Sequence, residues 1–200
     1  MEPNKSAFET AIGIWKEWNA KINVVSRKDI DNLYEHHILH SLAIAEFLER
    51  SLTGGFAPGE KILDLGTGGG FPGIPLAMEY PQASFTLCDS IAKKILVAEA
   101  VSSGLGLANV RCVNARAESL HEVFDWVVSR AVTSLENFYT WVKGKYGKGI
   151  LYLKGGDVIE EIRALCKKYN VDPKKITLWP VSDWLGDEYY IGKYVILIRK

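Results

Sequence analysis

Neither sign of charge prevails in this chain: 24 basic residues meet 24 acidic ones, for a formal net charge of zero. No overall field draws in nucleic acid, so any such contact must rest on a local basic face. Cysteine is scarce as well. Cys88, Cys112 and Cys166 form an odd set with no CxxC spacing, which argues against a disulfide framework or a zinc site and fits buried free thiols. No metal is expected. Long apolar runs are missing too: no uncharged apolar stretch approaches about 18 residues, so neither a transmembrane helix nor a membrane partner is expected. The N-terminal Met1-Glu2-Pro3-Asn4 has no basic segment leading into an apolar run. A signal peptide is therefore not expected, and a cytoplasmic location is.

What the chain does have is core-forming material. Its 200 residues are 48% hydrophobic, with six Trp and nine Tyr, which suits one folded domain with some appended structure. Residues 1–50 read as helical. Phe8, Ile12, Trp15 and Trp18 recur at three- and four-residue steps, and so do Leu33, His37, His40, Ile44 and Leu48 in a second helix from near Asp29. Thr53-Gly54-Gly55 breaks that helix, and Pro58-Gly59 extends the loop. From Lys61 strands and helices alternate. Strands are expected at 61–65, 84–88, 110–113, 126–128 and 149–153, with helices at 72–80, 91–103, 135–145 and 158–169. Such alternation predicts an α/β fold, a parallel sheet covered on both faces. Two last strands, 176–179 and 194–198, have no helix between them and should pair antiparallel. The expected division is a helical extension over 1–55 packed on a core domain over 56–200.

The segment Gly66-Thr67-Gly68-Gly69-Gly70 follows the first strand directly, where an open parallel sheet places its ligands. Glycine lets backbone approach a ligand and take positive φ, although the same cluster also fits an ordinary tight turn. The glycines fall at 66, 68 and 70, and Phe71 stands where a dinucleotide fingerprint needs glycine, which disfavours a pyrophosphate. Asp64 ends the first strand and suits either the loop amides or a cationic ligand group. Asp89 ends the second strand, where a carboxylate can take both ribose hydroxyls or cap the next helix. Together these residues favour an adenosyl ligand without phosphates.

The wider pattern carries a resemblance. Asn23-Val24-Val25-Ser26, His36-His37-Ile38-Leu39-His40-Ser41 and Asp64-Leu65-Gly66-Thr67-Gly68-Gly69-Gly70-Phe71-Pro72-Gly73-Ile74-Pro75-Leu76 come in order. Asp89-Ser90, Asn114-Ala115-Arg116-Ala117-Glu118, Ser129-Arg130-Ala131 and Leu153-Lys154-Gly155 follow. Over nearly the whole length this resembles the bacterial small-subunit (16S) ribosomal RNA guanine-N7 methyltransferase family, also called glucose-inhibited division protein B. The resemblance implies a Rossmann-like class I methyltransferase, with a mostly parallel seven-stranded sheet and an antiparallel C-terminal strand. It implies S-adenosyl-L-methionine held through Asp64, Gly66, Gly68, Gly70, Phe71, Asp89, Ala117, Glu118 and Arg130. Its implied partner is 16S ribosomal RNA or the small ribosomal subunit, met by a monomer with no DNA partner. Lys154, Lys193, His36 and His37 are the candidate RNA contacts. His36 stands where the family usually has Arg, His40 where it has Asp, Lys193 where it has Arg, and Gly69 where it commonly has Pro.

Guanine N7 has an in-plane lone pair and no proton, so methylating it needs no general base. Ser129-Arg130-Ala131-Val132 follows the fourth strand, where an exocyclic-amine methylase would carry a motif resembling Asn/Asp-Pro-Pro-Tyr. Arg130 is the leading functional side chain, orienting cofactor or guanine. His36 and His40 at i, i+4 would share a helical face, but packing or RNA contact suits them better than a metal. Lys143, Lys145 and Lys148 are candidates for a basic face. Two other activities stay open: a small-molecule methyltransferase with the N-terminal helices as a lid, and a non-catalytic S-adenosylmethionine-binding ribosome-assembly factor.

Overall fold

The computed structural model describes residues 4–51 and 54–200. Met1–Pro3 and the Leu52–Thr53 pair lie outside the described residues, and so do the readings of the extreme N-terminus and of Thr53 as a helix breaker. Seven strands form one sheet: β1 (Lys61–Leu65), β2 (Ser84–Asp89), β3 (Val110–Asn114), β4 (Phe124–Arg130), β5 (Tyr146–Gly155), β6 (Ile176–Pro180) and β7 (Lys193–Arg199). Their order is β3-β2-β1-β4-β5-β7-β6. β1 to β5 pair parallel, and β7 runs antiparallel to both its neighbours. The last two strands do pair antiparallel, with β7 inserted between β5 and β6. Strand order reverses beside β1 and β4, so the topological switch lies at the ends of these two strands.

Helices cover both faces. On one lie α1 (Glu9–Asn19), α2 (His40–Ser51), α3 (Gly73–Glu79) and α4 (Ala92–Gly104); on the other lie α5 (Leu135–Val142) and α6 (Val158–Tyr169). The central strands are apolar on both faces, as burial between two layers requires. In β1, Ile62 joins the first layer, while Leu63 and Leu65 join the second. Phe8, Ala11 and Trp15 of the N-terminal segment are buried in the same cluster as Ile62, Phe85 and Leu151. Both helices of the second layer start on a side-chain cap, from Ser134 to the Asn137 amide and from Asp157 to the Glu160 amide. Asn170 ends α6 in the left-handed conformation.

Two stretches differ from the sequence expectation. The second N-terminal helix is not one α-helix from Asp29: a 3-10 turn (Ile30–Asn32) leads into a π-helical segment (Leu33–Leu39), and α2 starts only at His40. The i, i+4 spacing therefore does not pair His36 with His40. Instead His36 and His37 both turn to Asp29, and His40 is buried against Tyr190. The helix expected over 135–145 stops at Val142, because Gly144 takes φ +83° and the chain turns into β5. Among the described residues, no helix is long and apolar enough to cross a membrane.

Candidate cofactor site

The turn after β1 is held from below and from the side. Gly66, Gly68 and Gly70 have φ of +74°, +57° and +104°, values that favour glycine. Asp64 lies beneath them. One oxygen, Oδ2, accepts from Thr67 Oγ1 at 2.6 Å and from the Gly73 amide at 2.8 Å. A Cβ on Gly73 would stand 2.6 Å from that oxygen, so the turn closes tightly only with glycine there. Burial pushes the Asp64 carboxyl up to about 7, against the hydrogen bonds from Thr67 and Gly73. Its other oxygen is buried without a partner. Asp64 thus supports the loop from inside and does not line the cleft. From the side, Trp15 of α1 donates from Nε1 to the Gly69 carbonyl at 2.7 Å and stacks on Phe71 at 4.4 Å between ring centres. Val24 packs so close that a Cβ on Gly69 would meet it at 2.7 Å.

Above this turn is a cleft of about 400 Å³ at the carboxyl ends of β1, β2 and β4. Its walls include Gly66, Asp89, Ile91, Ala117, Glu118 and Arg130. Asp89 accepts from the Gly68 amide at 3.0 Å through one oxygen and from the Ile91 amide at 2.9 Å through the other. It therefore caps the loop and the start of α4, and each oxygen keeps a lone pair for a ligand hydroxyl. Gly68 has nothing within 4 Å of its missing side chain, which leaves the backbone open to close approach. The apolar walls, the buried carboxylate and the volume fit an adenosyl group. Of the expected cofactor residues, Gly66, Asp89, Ala117, Glu118 and Arg130 line this cleft. Asp64, Gly68, Gly70 and Phe71 build the turn next to it.

Arg130 is the last residue of β4. Its backbone is fixed by parallel pairing to Leu153, and Ser129 Oγ donates to the Leu65 carbonyl at 2.7 Å, which ties β4 to β1. Its guanidinium lies 5.1 Å from the Phe71 ring centre and donates from Nη2 to His37 Nδ1 at 2.9 Å. Burial lowers its pKa, opposed by the fields of Tyr189, Asp64 and Asp29. The next residue, Ala131, has φ +47°, and Val132 packs where a Cβ on Gly66 would be.

The expected RNA contacts share the carboxyl edge but all have protein partners. Lys154 donates to the Thr133 carbonyl and pairs with Glu161 at 3.0 Å. Lys193 donates to the Tyr189 carbonyl and sits over that ring. His36 stacks on the same ring at 3.5 Å and lies 2.5 Å from Asp29. The basic run is elsewhere. Lys143, Lys145 and Lys148 lie where β5 begins, at the opposite edge, and Lys145 and Lys148 are engaged by the Leu120 carbonyl and Glu60. Sequence reasoning missed Thr67, Gly73 and Asp29. Gly73 had a signal, since a glycine opening a helix asks for a close neighbour. Asp29 had none at a readable spacing. Among the described residues, no group of three His, Cys, Asp or Glu is arranged to hold a metal ion.

Comparison with known proteins gives a family and a fold. The family model described as GidB, rRNA small subunit methyltransferase G, matches residues 4–182. The Ribosomal RNA small subunit methyltransferase G of Christiangramia forsetii is 47% identical over 201 residues, covering 96% of this chain and 89% of the relative. That of Porphyromonas gingivalis is 46% identical over 206 residues, covering 98% and 87%. Among solved structures, the magnesium protoporphyrin IX methyltransferase (ChlM) from Synechocystis PCC 6803 with bound SAM aligns with a TM-score of 0.63. It is 14% identical, and the alignment covers 98% of this chain and 94% of that one. A SAM dependent methyltransferase from Aquifex aeolicus gives 0.58 at 14% identity, covering 79% and 91%. At such identities these two structures speak for the fold alone. With a family match across most of its length and close relatives over nearly all of it, the chain belongs to the rRNA small subunit methyltransferase G family.

Proposed function

We propose that this protein transfers a methyl group from S-adenosylmethionine to N7 of a guanine in 16S ribosomal RNA. The observation that carries this reading is the coincidence of the family match over residues 4–182 with one cleft lined by Gly66, Asp89, Ala117, Glu118 and Arg130. S-adenosylmethionine supplies an electrophilic methyl on a sulfonium. Gly66, Asp89, Ala117 and Glu118 would hold its adenosyl part, and the left-handed turn at Gly66 to Gly70 lets the backbone come close. Arg130 orients what enters the cleft beside Phe71. Because N7 is unprotonated, the work of the site is alignment and exclusion of water, and effective molarity supplies much of the rate.

The acceptor must be exposed. N7 of a paired guanine faces the deep, narrow groove of an A-form helix, so an unpaired or flipped base is the suitable substrate. His36, Lys154 and Lys193 sit on the carboxyl edge, where they would meet RNA phosphate by exchanging a present partner for it. A neutral protein gains little from long-range attraction, which favours shape recognition of an assembled small subunit. We place the protein in the cytoplasm as a monomer. The test is labelled-methyl transfer to isolated small subunits and to naked RNA, with the modified base mapped. Label at a guanine, recovered as 7-methylguanosine, is expected. Label in metabolite pools alone would replace this reading with a small-molecule activity.

A further inference from the structure

We propose that Asp29 and His37 form a fixed hydrogen-bond relay that aims the Arg130 guanidinium into the cleft, which makes His37 a positioning residue. What Arg130 does there rests on the function proposed above, whereas the relay rests on hydrogen-bond direction alone.

A guanidinium donates and never accepts. His37 Nδ1, at 2.9 Å from Arg130 Nη2, must therefore present a lone pair. The ring proton is then on Nε2, which lies 2.7 Å from Asp29 Oδ2, an acceptor. One neutral tautomer satisfies both contacts. The doubly protonated ring would satisfy only Asp29 and would set a second cation against Arg130.

The surroundings keep the ring neutral. Burial and then the Arg130 charge press the His37 pKa down to about 4, against the pull of Asp29. The charged and titratable groups facing it are Asp29 from the preceding loop, His36 on the same helical turn, His40 at the start of α2 and Arg130 from β4. Asp29 itself is pushed up by burial but held below the usual carboxylate value by the hydrogen bonds from His36 and His37.

The bridge has a chemical consequence. A carboxylate in direct contact would cancel much of the Arg130 charge. A neutral imidazole acceptor instead fixes one N–H and leaves the charge in place. Among the described residues, no other hydrogen-bond acceptor takes the remaining Arg130 N–H groups, and Arg130 lines the cleft. The guanidinium also rests near Phe71, which His37 touches and Trp15 backs. The N-terminal segment thereby sets the direction of a side chain in the core domain.

Two measurements test this. Long-range proton–nitrogen NMR of the wild-type protein should show His37 as the Nε2–H tautomer from about pH 8 down to about pH 5. The other tautomer, or titration near the ordinary histidine value, would overturn the relay. The second measurement compares variants by S-adenosylmethionine calorimetry and transfer kinetics. His37→Ala should weaken binding or kcat by about 10- to 100-fold, the scale of a misaimed site group. In His37→Asn the amide oxygen takes the place of Nδ1 and should recover to within about threefold, while His37→Gln, with its amide near Nε2, should not. Wild-type values for His37→Ala, or equal loss in both amide variants, would overturn the proposal. If the alanine variant fails to fold, the wild-type NMR result still decides. A wild-type protein that binds cofactor in the expected tautomer but never methylates ribosomal RNA would refute the proposed function and leave the relay standing.

Discussion

The turns after β1 and β4 meet at the same cleft and are held in place by different means. The first is packed on its inner side: Trp15 and Val24 close on Gly69, Gly73 fits against Asp64, and Asp64 fixes two donors from a fully buried position, while only the Gly68 side stays open to the cleft. The second carries its functional group on a long side chain, held by one hydrogen bond to His37 and one ring face. Close packing is costly to disturb and makes a rigid floor. A hydrogen-bonded guanidinium contributes less to the fold and more to the field in the cleft. Stability and function are thus concentrated in separate turns a few ångströms apart.

Breaking the packed turn should have the largest effect. Trp15→Ala removes a fully buried aromatic and its hydrogen bond to Gly69, and should cost about 3–5 kcal/mol in denaturant unfolding, with cofactor binding lost in parallel. Arg130→Ala should do the reverse. Cofactor affinity or transfer should fall about 10- to 100-fold, while the melting temperature moves by no more than about 3 °C. If Arg130→Ala unfolds the protein and Trp15→Ala leaves it stable, the contrast is wrong. Arg130→Lys should recover little, because a point charge does not reproduce the planar fork.

Asp64 sharpens the contrast through pH. Its folded pKa of about 7 lies above the unfolded carboxylate value, so the folded state holds the proton more tightly. That stabilising contribution is complete below about pH 4 and is lost as pH rises through about 7. Stability should therefore decline with rising pH across this window, and Asp64→Asn, which keeps the acceptor for Thr67 and Gly73, should flatten the decline. Urea unfolding of both proteins across that range checks it, and parallel curves would contradict it. The smallest effect belongs to the far edge. Lys143→Ala, just before β5, should leave cofactor affinity unchanged within about twofold, as befits an exposed charge that does not line the cleft.

Much of this was legible in the chain. The alternation from Lys61 gave the strands because burial on both faces imposes short apolar runs, and the glycines at 66, 68 and 70 marked the turn because each needs positive φ. Strand order was not legible. Nothing in the pattern of 176–180 or 193–199 states that β7 pairs with β5 before β6 joins it. The π-helical segment was also hidden, since apolar spacing alone does not separate it from an α-helix. At the site, Asp64 and Asp89 were readable as acids ending strands. That one supports the loop while the other lines the cleft is a matter of depth, which spacing does not record. Lys154 read as a free cation because Glu161 and Thr133 reach it only in three dimensions.

The most direct test of the central claim is nucleoside mass spectrometry of small-subunit ribosomal RNA from cells with and without this protein. 7-Methylguanosine should disappear without it, return with the wild-type chain, and stay low with Arg130→Ala. Unchanged 7-methylguanosine in its absence would contradict the account.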